Sequence, residues 1–139
     1  MGKGVRKWYV RKDVEPTEFE KKMMAYESRG YIVPSRKLIK TPEQIEGIKR
    51  SGVVNTGVLD MLTQEIKPGM TTEQIDRLVH DYTVAHGAIP APLNYEGFPK
   101  SVCVSINEVV CHGIPSEEEL LLEGDIVNVD VSTIYNGYF

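Results

Sequence analysis

The closing stretch of the sequence, GDIVNVDVSTIYNGYF, constrains the fold more than any other. From Gly124 to Tyr135 apolar and polar residues alternate with a period of two, which is typical of a β-strand with one buried face. Asn136-Gly137 predicts a two-residue hairpin turn, because both central positions of the favoured turn type need a positive φ. The sequence therefore predicts one long strand that ends in a tight turn.

The period of two gives this strand a core face and a polar face. Asp130 lies on the polar face between Asn128 and Ser132, and the simplest explanation of its position is contact with water. The turn suggests a second role. Position 141, beyond this sequence, would lie diagonal to Asp130, with Cα atoms about 7–8 Å apart. Two carboxylates at that separation are close enough to bind one metal ion. The core face is predicted to comprise Val127, Val129, Val131, Thr133 and Tyr135.

Two amphipathic helices are predicted before this strand. Thr41-Pro42-Glu43 is a helix start, with a capping residue, proline at the first position and an acid near the positive end of the dipole; Lys67-Pro68-Gly69 ends this helix. A second helix starts at Thr71, with Gln74 completing a capping box, and ends before Gly87. We predict an α+β fold with these helices packed on a small antiparallel sheet. The apolar faces are Ile45, Ile48, Val54, Val58, Leu59 and Leu62 in the first helix, and Ile75, Leu78, Val79 and Tyr82 in the second.

The first part of the chain is basic. Residues 1–50 contain 13 Lys and Arg against 7 Asp and Glu, whereas residues 51–139 contain 3 against 13. We expect a loose basic arm over residues 1–14, and a short helix from the cap Thr17 to about Ser28. A basic segment of this kind suits RNA or a ribosomal surface, although a solvated extension explains it more simply. No apolar run reaches the length of a membrane span, and the N-terminus lacks a signal sequence, so we expect a cytoplasmic protein without membrane contact.

A short hairpin is predicted around Asn107-Glu108. In that register Cys103 lies opposite His112, whereas Cys111 lies on the other face, so no disulfide is expected between the two cysteines. Cys103 and His112 then form a packed pair, a substrate-pocket pair or a nucleophilic pair. Spacing alone favours packing.

Four segments together resemble type I methionine aminopeptidases. They are YEGFPKSVCVSINEVVCHGIP, EGDIVNVDVSTIYNGYF, IKTPEQIEGIKRSG and IKPGMTTEQIDRLVHDY. The resemblance covers about residues 39–139, and residues 1–38 lie outside it as a basic extension with a short helix. A proline peptidase of the same superfamily is the other relative considered, but the CHGIP stretch argues against it. The resemblance implies the N-terminal half of a pita-bread fold, and an enzyme that removes the initiator methionine from nascent proteins.

The resemblance also implies roles for individual residues. Asp130 would be a metal ligand in a centre of two divalent ions (Fe, Mn, Co or Zn), which activate water and polarise the scissile carbonyl. His112 would be catalytic, contacting the substrate and stabilising the developing tetrahedral intermediate. Pro92 and Phe98 occupy positions where some relatives have Cys and Tyr. The side-chain pocket for methionine would be lined by Pro92, Tyr95, Phe98 and Cys103.

The sequence departs from the family in its ligand set. Family members use five protein ligands, of which Asp130 alone is present, and the second aspartate would fall at position 141. We therefore expect residues 39–139 to be a truncated first half of the catalytic domain. Such a chain is predicted to be inactive by itself, to bind no metal stably and to self-associate through its open strand. The alternative is an inactive relative that binds peptides or the ribosome.

Overall fold

The computed structural model describes residues 14–34 and 38–139. The chain divides into two compact units, Met1–Thr41 and Pro42–Phe139. In the first unit, helix α1 spans Glu18–Ser28 behind the predicted cap Thr17, whose side chain forms a capping box with Glu20. Gly30 follows with a φ of 83°, the left-handed conformation that favours glycine at a helix end. The predicted short helix is confirmed, whereas the predicted arm over residues 1–14 lies almost entirely outside the described residues.

The second unit contains both predicted amphipathic helices. Helix α2 spans Pro42–Glu65, and helix α3 spans Thr72–Ala85. Thr71 caps α3, and the Gln74 side chain completes the predicted capping box. In the described part of the chain no helix is both long and apolar enough to cross a membrane.

Helix α2 packs through small residues more than the apolar pattern predicted. Val58 and Leu62 are buried as expected, but Ile45, Ile48 and Leu59 of the predicted face are exposed. Ser51 is buried instead, and its hydroxyl donates to the Thr133 carbonyl oxygen at 3.1 Å. Small side chains allow close approach of neighbouring elements. A Cβ added at Gly47 would lie 2.5 Å from the ring of Tyr138, and one at Gly57 would lie 2.4 Å from the Tyr82 hydroxyl oxygen.

The predicted single long strand is divided into two strands. Strand β3, Val127–Asp130, pairs antiparallel with β2, Cys103–Ile106, whereas β4, Thr133–Ile134, pairs antiparallel with β1, Ile89–Pro90. The chain therefore changes partner immediately after Asp130. The predicted alternation holds across this change, since Val127 and Val129 are half-buried, Asn128 and Asp130 are exposed, and Thr133 is buried.

The tight turn at Asn136-Gly137 is confirmed. Both residues have positive φ, 50° and 81°, as a two-residue hairpin turn requires. Tyr135 and Tyr138 exchange backbone hydrogen bonds of 2.9 and 3.0 Å.

The predicted hairpin of residues 103–112 is wrong. The chain does turn at Asn107, whose φ is 50°, and the Val109 N–H donates to the Ile106 carbonyl at 3.0 Å. Residues 109–113 form no strand, and His112 among them adopts a left-handed φ of 57°, which departs from extended geometry. One backbone bond remains on this edge of β2, from the Val104 N–H to the Gly113 carbonyl at 3.0 Å. Cys103 therefore lies opposite Asp130 instead of His112.

Helices α2 and α3 pack against the β2–β3 pair around one apolar core. This core makes the second unit a two-layer α+β structure, as predicted. Its fully buried members are Val58, Leu62, Ile75, Val79, Val102, Val104, Ile106 and Leu121.

Candidate functional site

A cleft of about 680 Å³ opens beside the junction of β3 and β4. All six residues singled out in the sequence lie in its wall, although they come from four separate segments of the chain. Its lining consists of Ala91, Pro92, Tyr95, Glu96, Gly97, Phe98, Pro99, Cys103, His112, Ile114, Asp130, Ser132 and Phe139.

One side of the cleft is formed by residues 92–98, the aromatic loop, which two backbone hydrogen bonds close. The Asn94 N–H donates to the Phe98 carbonyl at 2.8 Å, and the Phe98 N–H donates to the Tyr95 carbonyl at 2.9 Å. Asn94 and Glu96 both have positive φ, 66° and 48°, which non-glycine residues seldom adopt. Backbone strain of this kind is concentrated at functional sites. The loop brings Pro92, Tyr95 and Phe98 to one side of the cleft, where Phe98 is half-buried and Tyr95 is exposed.

Cys103 and Asp130 line the cleft from facing positions in β2 and β3. Directly opposed residues in an antiparallel pair project to the same face of the sheet. Burial raises the pKa of the Cys103 thiol, and the negative charge of Asp130 raises it further. A thiol with a raised pKa stays protonated at neutral pH and is a poor nucleophile. Of the three roles considered for Cys103, the nucleophilic one is therefore the least compatible with its surroundings.

His112 reaches the cleft from the segment that leaves β2. Its left-handed φ turns the side chain toward the cleft instead of along the strand. Gly113 fixes this segment, because its carbonyl accepts from the Val104 N–H and its N–H donates to the Ser105 hydroxyl at 3.2 Å. The predicted cross-strand pairing of Cys103 with His112 is wrong, yet both side chains line the same cleft.

Several lining residues were missed in the sequence. Ser132 follows the period of two from Asp130 and was predicted to share its face, which was a usable signal. Ile114 lies in the CHGIP stretch, where only His112 was singled out. Glu96 reaches the cleft through its positive φ, a conformation that its residue type does not predict.

The described residues do not by themselves fit a metal centre. Residues 14–34 and 38–139 contain no group of three or more His, Cys, Asp or Glu side chains able to hold an ion. Within the cleft, Asp130 is the candidate ligand nominated by the resemblance, and Glu96 is the other carboxylate. A divalent ion needs several ligands and an ordered surrounding shell. Such a centre would need side chains from outside these residues.

Comparison with known proteins shows which family and which solved structures this chain is similar to. Residues 46–139 match the model of metallopeptidase family M24. Methionine aminopeptidase 1A of Arabidopsis thaliana is 47% identical over 131 residues, covering 91% of this chain and 33% of that protein. Methionine aminopeptidase of Escherichia coli K12 is 52% identical over 101 residues, covering 72% of this chain and 38% of that protein. The Arabidopsis match extends into the first 38 residues, which the sequence resemblance had left outside.

Solved structures show the same relationship in three dimensions. The crystal structure of methionine aminopeptidase from Rickettsia prowazekii superposes with a TM-score of 0.69 and 47% identity, over 71% of this chain and 40% of that one. The Xaa-Pro dipeptidase of Bacillus anthracis superposes with a TM-score of 0.60 at 21% identity, which shows similarity of fold alone. These neighbours confirm the predicted pita-bread fold. The chain spans about a quarter to two-fifths of the length of the relatives it matches.

Proposed function

Because the chain belongs to metallopeptidase family M24, we propose that it forms the methionine-binding part of an aminopeptidase that removes initiator methionine from nascent proteins. One observation supports this most directly. Pro92, Tyr95, Phe98, Cys103 and His112, which come from the aromatic loop, from β2 and from the segment after β2, line a single cleft together with Asp130. We further propose residues 39–139 as the catalytic part and residues 1–38 as a basic extension, in a cytoplasmic protein.

The chemistry of the cleft suits a methionine side chain. A thioether is apolar and polarisable, and it packs favourably against aromatic rings. The aromatic loop supplies Tyr95 and Phe98 on one side, and the protonated thiol of Cys103 adds a polarisable wall without charge. A negatively charged side chain entering the cleft would lose hydration and be repelled by the carboxylates of Glu96 and Asp130, which also line it.

The polar residues of the cleft suit the reacting part of the substrate. Asp130 and His112 both line the cleft, and no Lys or Arg is among the lining residues. Carboxylates of this kind attract the ammonium group of a peptide N-terminus. The imidazole of His112 can donate a hydrogen bond to the oxygen that gains negative charge during hydrolysis. We propose Asp130 as the contribution of this chain to a divalent-metal centre that contains Fe, Mn, Co or Zn.

Substrate preference tests the proposal. We expect the full-length protein to release methionine from Met-Ala peptides and to leave Met-Lys peptides nearly intact, because the resemblance to methionine aminopeptidases implies a preference for a small second residue. Initial rates with matched peptides and added Mn²⁺ or Co²⁺ are the measurement. Equal cleavage of both peptides, or faster release of another first residue, would contradict the proposed specificity. Binding of Met-Ala peptides without cleavage would favour the alternative, an inactive peptide-binding relative.

We also propose that the basic N-terminal region contacts the ribosome. Residues 1–50 carry an excess of six positive charges, whereas the remainder is acidic. A basic segment close to the exit of a nascent chain would bring the cleft near its substrate.

The isolated 139-residue chain is expected to self-associate. Strand β3 pairs with β2 on one edge, and the strand pairings of residues 38–139 provide no partner for its other edge. Ile126, Leu122 and Phe139 near this strand are 77%, 66% and 69% exposed. Open edges and exposed apolar side chains favour pairing with a second copy. Light scattering should show a mass above that of one chain at micromolar concentration, and a monodisperse monomer would refute the expectation.

A further inference from the structure

Helix α3 presents an unusual polar face to the interior of the protein. Thr72 and Asp76, one turn apart, are 0% and 8% exposed, and His80 on the next turn is half-buried. Buried polar groups cost free energy unless they form hydrogen bonds, and a buried charge costs more. The hydrogen bonds of this face lead to Ser101 and Ser116. Ser101 lies next to the pocket wall of the cleft, which contains Phe98 and Cys103, and Ser116 lies next to the His112 wall, which contains His112 and Ile114.

Asp76 binds the segment that carries the pocket wall. Its carboxylate oxygen Oδ1 accepts a hydrogen bond from the Ser101 N–H at 2.7 Å. The Ser101 hydroxyl is in turn 2.9 Å from Nδ1 of His80. Ser101 is buried and lies between Phe98 and Cys103 in the chain. Both the backbone and the side chain of Ser101 are therefore fixed to α3.

A second contact supports the same wall. Lys100 forms an ion pair with the carboxylate of Glu73 on α3, and both side chains are largely shielded from water. The pair lies beside Asp76, and the Lys100 charge partly offsets the cost of burying the Asp76 carboxylate. Together these contacts fix Lys100 and Ser101, two of the four residues that join the aromatic loop to β2.

Thr72 binds the segment that carries the His112 wall. Its hydroxyl accepts from the Ser116 N–H at 2.8 Å and donates to the Ser116 carbonyl at 3.2 Å. The Glu73 N–H also donates to the Ser116 carbonyl, at 3.2 Å. Ser116 follows directly on the segment that contains His112 and Ile114. The first turn of α3 thus fixes the chain next to the His112 side of the cleft.

We propose that Asp76 and Thr72 are positioning residues that set the two cleft walls from one rigid helix, Asp76 the pocket wall and Thr72 the His112 wall. The identity of the cleft as a methionine site rests on the proposed function, whereas the positioning itself does not. Burial raises the pKa of Asp76 and thereby opposes its charged form, whereas the hydrogen bond from the Ser101 N–H lowers the pKa and favours that form. Substitution of Asp76 or of Thr72 should therefore displace one wall only, because each side chain is hydrogen-bonded to the segment of a single wall.

The first experiment measures access to Cys103 in the 139-residue chain and needs no enzymatic activity. Cys111, which is exposed, is replaced by serine so that Cys103 is the remaining thiol. In Asp76→Ala we expect N-ethylmaleimide to modify Cys103 about tenfold faster or more, because a hydrogen bond to a charged group no longer holds the wall closed. Asp76→Asn keeps an acceptor for the Ser101 N–H, and it should restore most of the protection.

The control is a variant that destabilises the core but leaves these hydrogen bonds intact. Val58→Ala removes buried volume from α2 and has no side-chain hydrogen bond to either wall. If Val58→Ala exposes Cys103 as much as Asp76→Ala does, the effect is general destabilisation and the proposal fails. Thr72→Val, which is nearly isosteric, should leave Cys103 access unchanged.

The second experiment reports on the His112 wall. The chain has three histidines, so the imidazole Cε1–H signals of His80, His86 and His112 can be assigned by single substitutions. Thr72→Val should shift or broaden the His112 signal and leave that of His86 unchanged. An unchanged His112 signal would overturn the role of Thr72.

Kinetics on the full-length protein separate the two walls further. We expect Asp76→Ala to raise KM for Met-Ala peptides about tenfold with kcat within about twofold, and Thr72→Val to lower kcat with little change in KM. Equal effects of both variants on both constants would contradict separate walls. If the protein proves not to be an aminopeptidase, the proposed function fails, while the thiol and imidazole measurements still decide the positioning.

Discussion

Replacing His112 by alanine is expected to lower the turnover of methionine removal by about 10²–10³, the usual cost of losing one hydrogen-bond donor to a developing negative charge. The metal content of the full-length protein should stay the same. This follows from the position of His112, which lines the cleft from a segment held by Gly113, whereas Asp130 lines it from β3. Rates with Met-Ala peptides and metal analysis of the purified variant measure the two quantities separately.

His86→Ala provides the matched control. His86 is exposed at the end of α3, where its ring stacks on Tyr82 at 3.9 Å and Nδ1 lies 2.7 Å from the Tyr82 carbonyl oxygen. It does not line the cleft, so its replacement should leave turnover within about twofold of the unsubstituted protein, as is usual away from an active site. Loss of metal together with activity in His112→Ala would identify His112 as a ligand and overturn the role proposed for it.

The local elements of the fold could be predicted because their signals are local. The cap at Thr17, the capping box at Thr71 and the turn at Asn136-Gly137 depend on residues within four positions of each other, and all three were predicted correctly. The period of two likewise gave the correct faces for Asn128 and Asp130, because alternation follows from strand geometry alone.

Strand pairing could not be predicted in the same way. It depends on which edges meet in three dimensions, and the sequence favoured the nearest candidate, a hairpin of residues 103–112. Residues 109–113 form no strand, and β2 pairs with β3 instead. The left-handed φ of His112 has a weak sequence signal, because this conformation is uncommon in non-glycine residues even though histidine adopts it more often than most.

The residues of the site were nevertheless brought together as the resemblance implied. Cys103 and His112 share the cleft although they do not pair, and Asp130 faces Cys103 although that register was not predicted. Family motifs indicate which residues lie together in the fold, but they do not indicate which strands pair to bring those residues together. The polar face of α3 was missed for a different reason: apolar periodicity identifies Ile75 and Val79, but it carries no signal for Asp76, whose burial depends on its hydrogen bond with the distant Ser101.

The second large effect is expected at Gly113, where two backbone segments approach too closely for any side chain. A Cβ at this position would lie 1.9 Å from the Val104 carbonyl oxygen and 2.8 Å from its carbonyl carbon. Neither segment can move aside easily. Val104 belongs to β2, which is paired with β3 and buried in the core, and Gly113 is hydrogen-bonded to both Val104 and Ser105.

Gly113→Ala is therefore expected to lower the free energy of unfolding by about 2–3 kcal/mol or more, the upper range for an overpacked site. It should also displace His112 and reduce turnover in the full-length protein. Urea denaturation of the 139-residue chain measures the first effect. Gly52→Ala is the control, because Gly52 is an exposed residue of α2 and an added Cβ there would have no atom within 4 Å. There alanine should stabilise the chain by about 0.5–1 kcal/mol, since it favours the helix. If Gly113→Ala unfolds at the same urea concentration as the unsubstituted chain, the contact between the His112 segment and β2 is looser than described, and that contact cannot be what fixes His112 in the cleft.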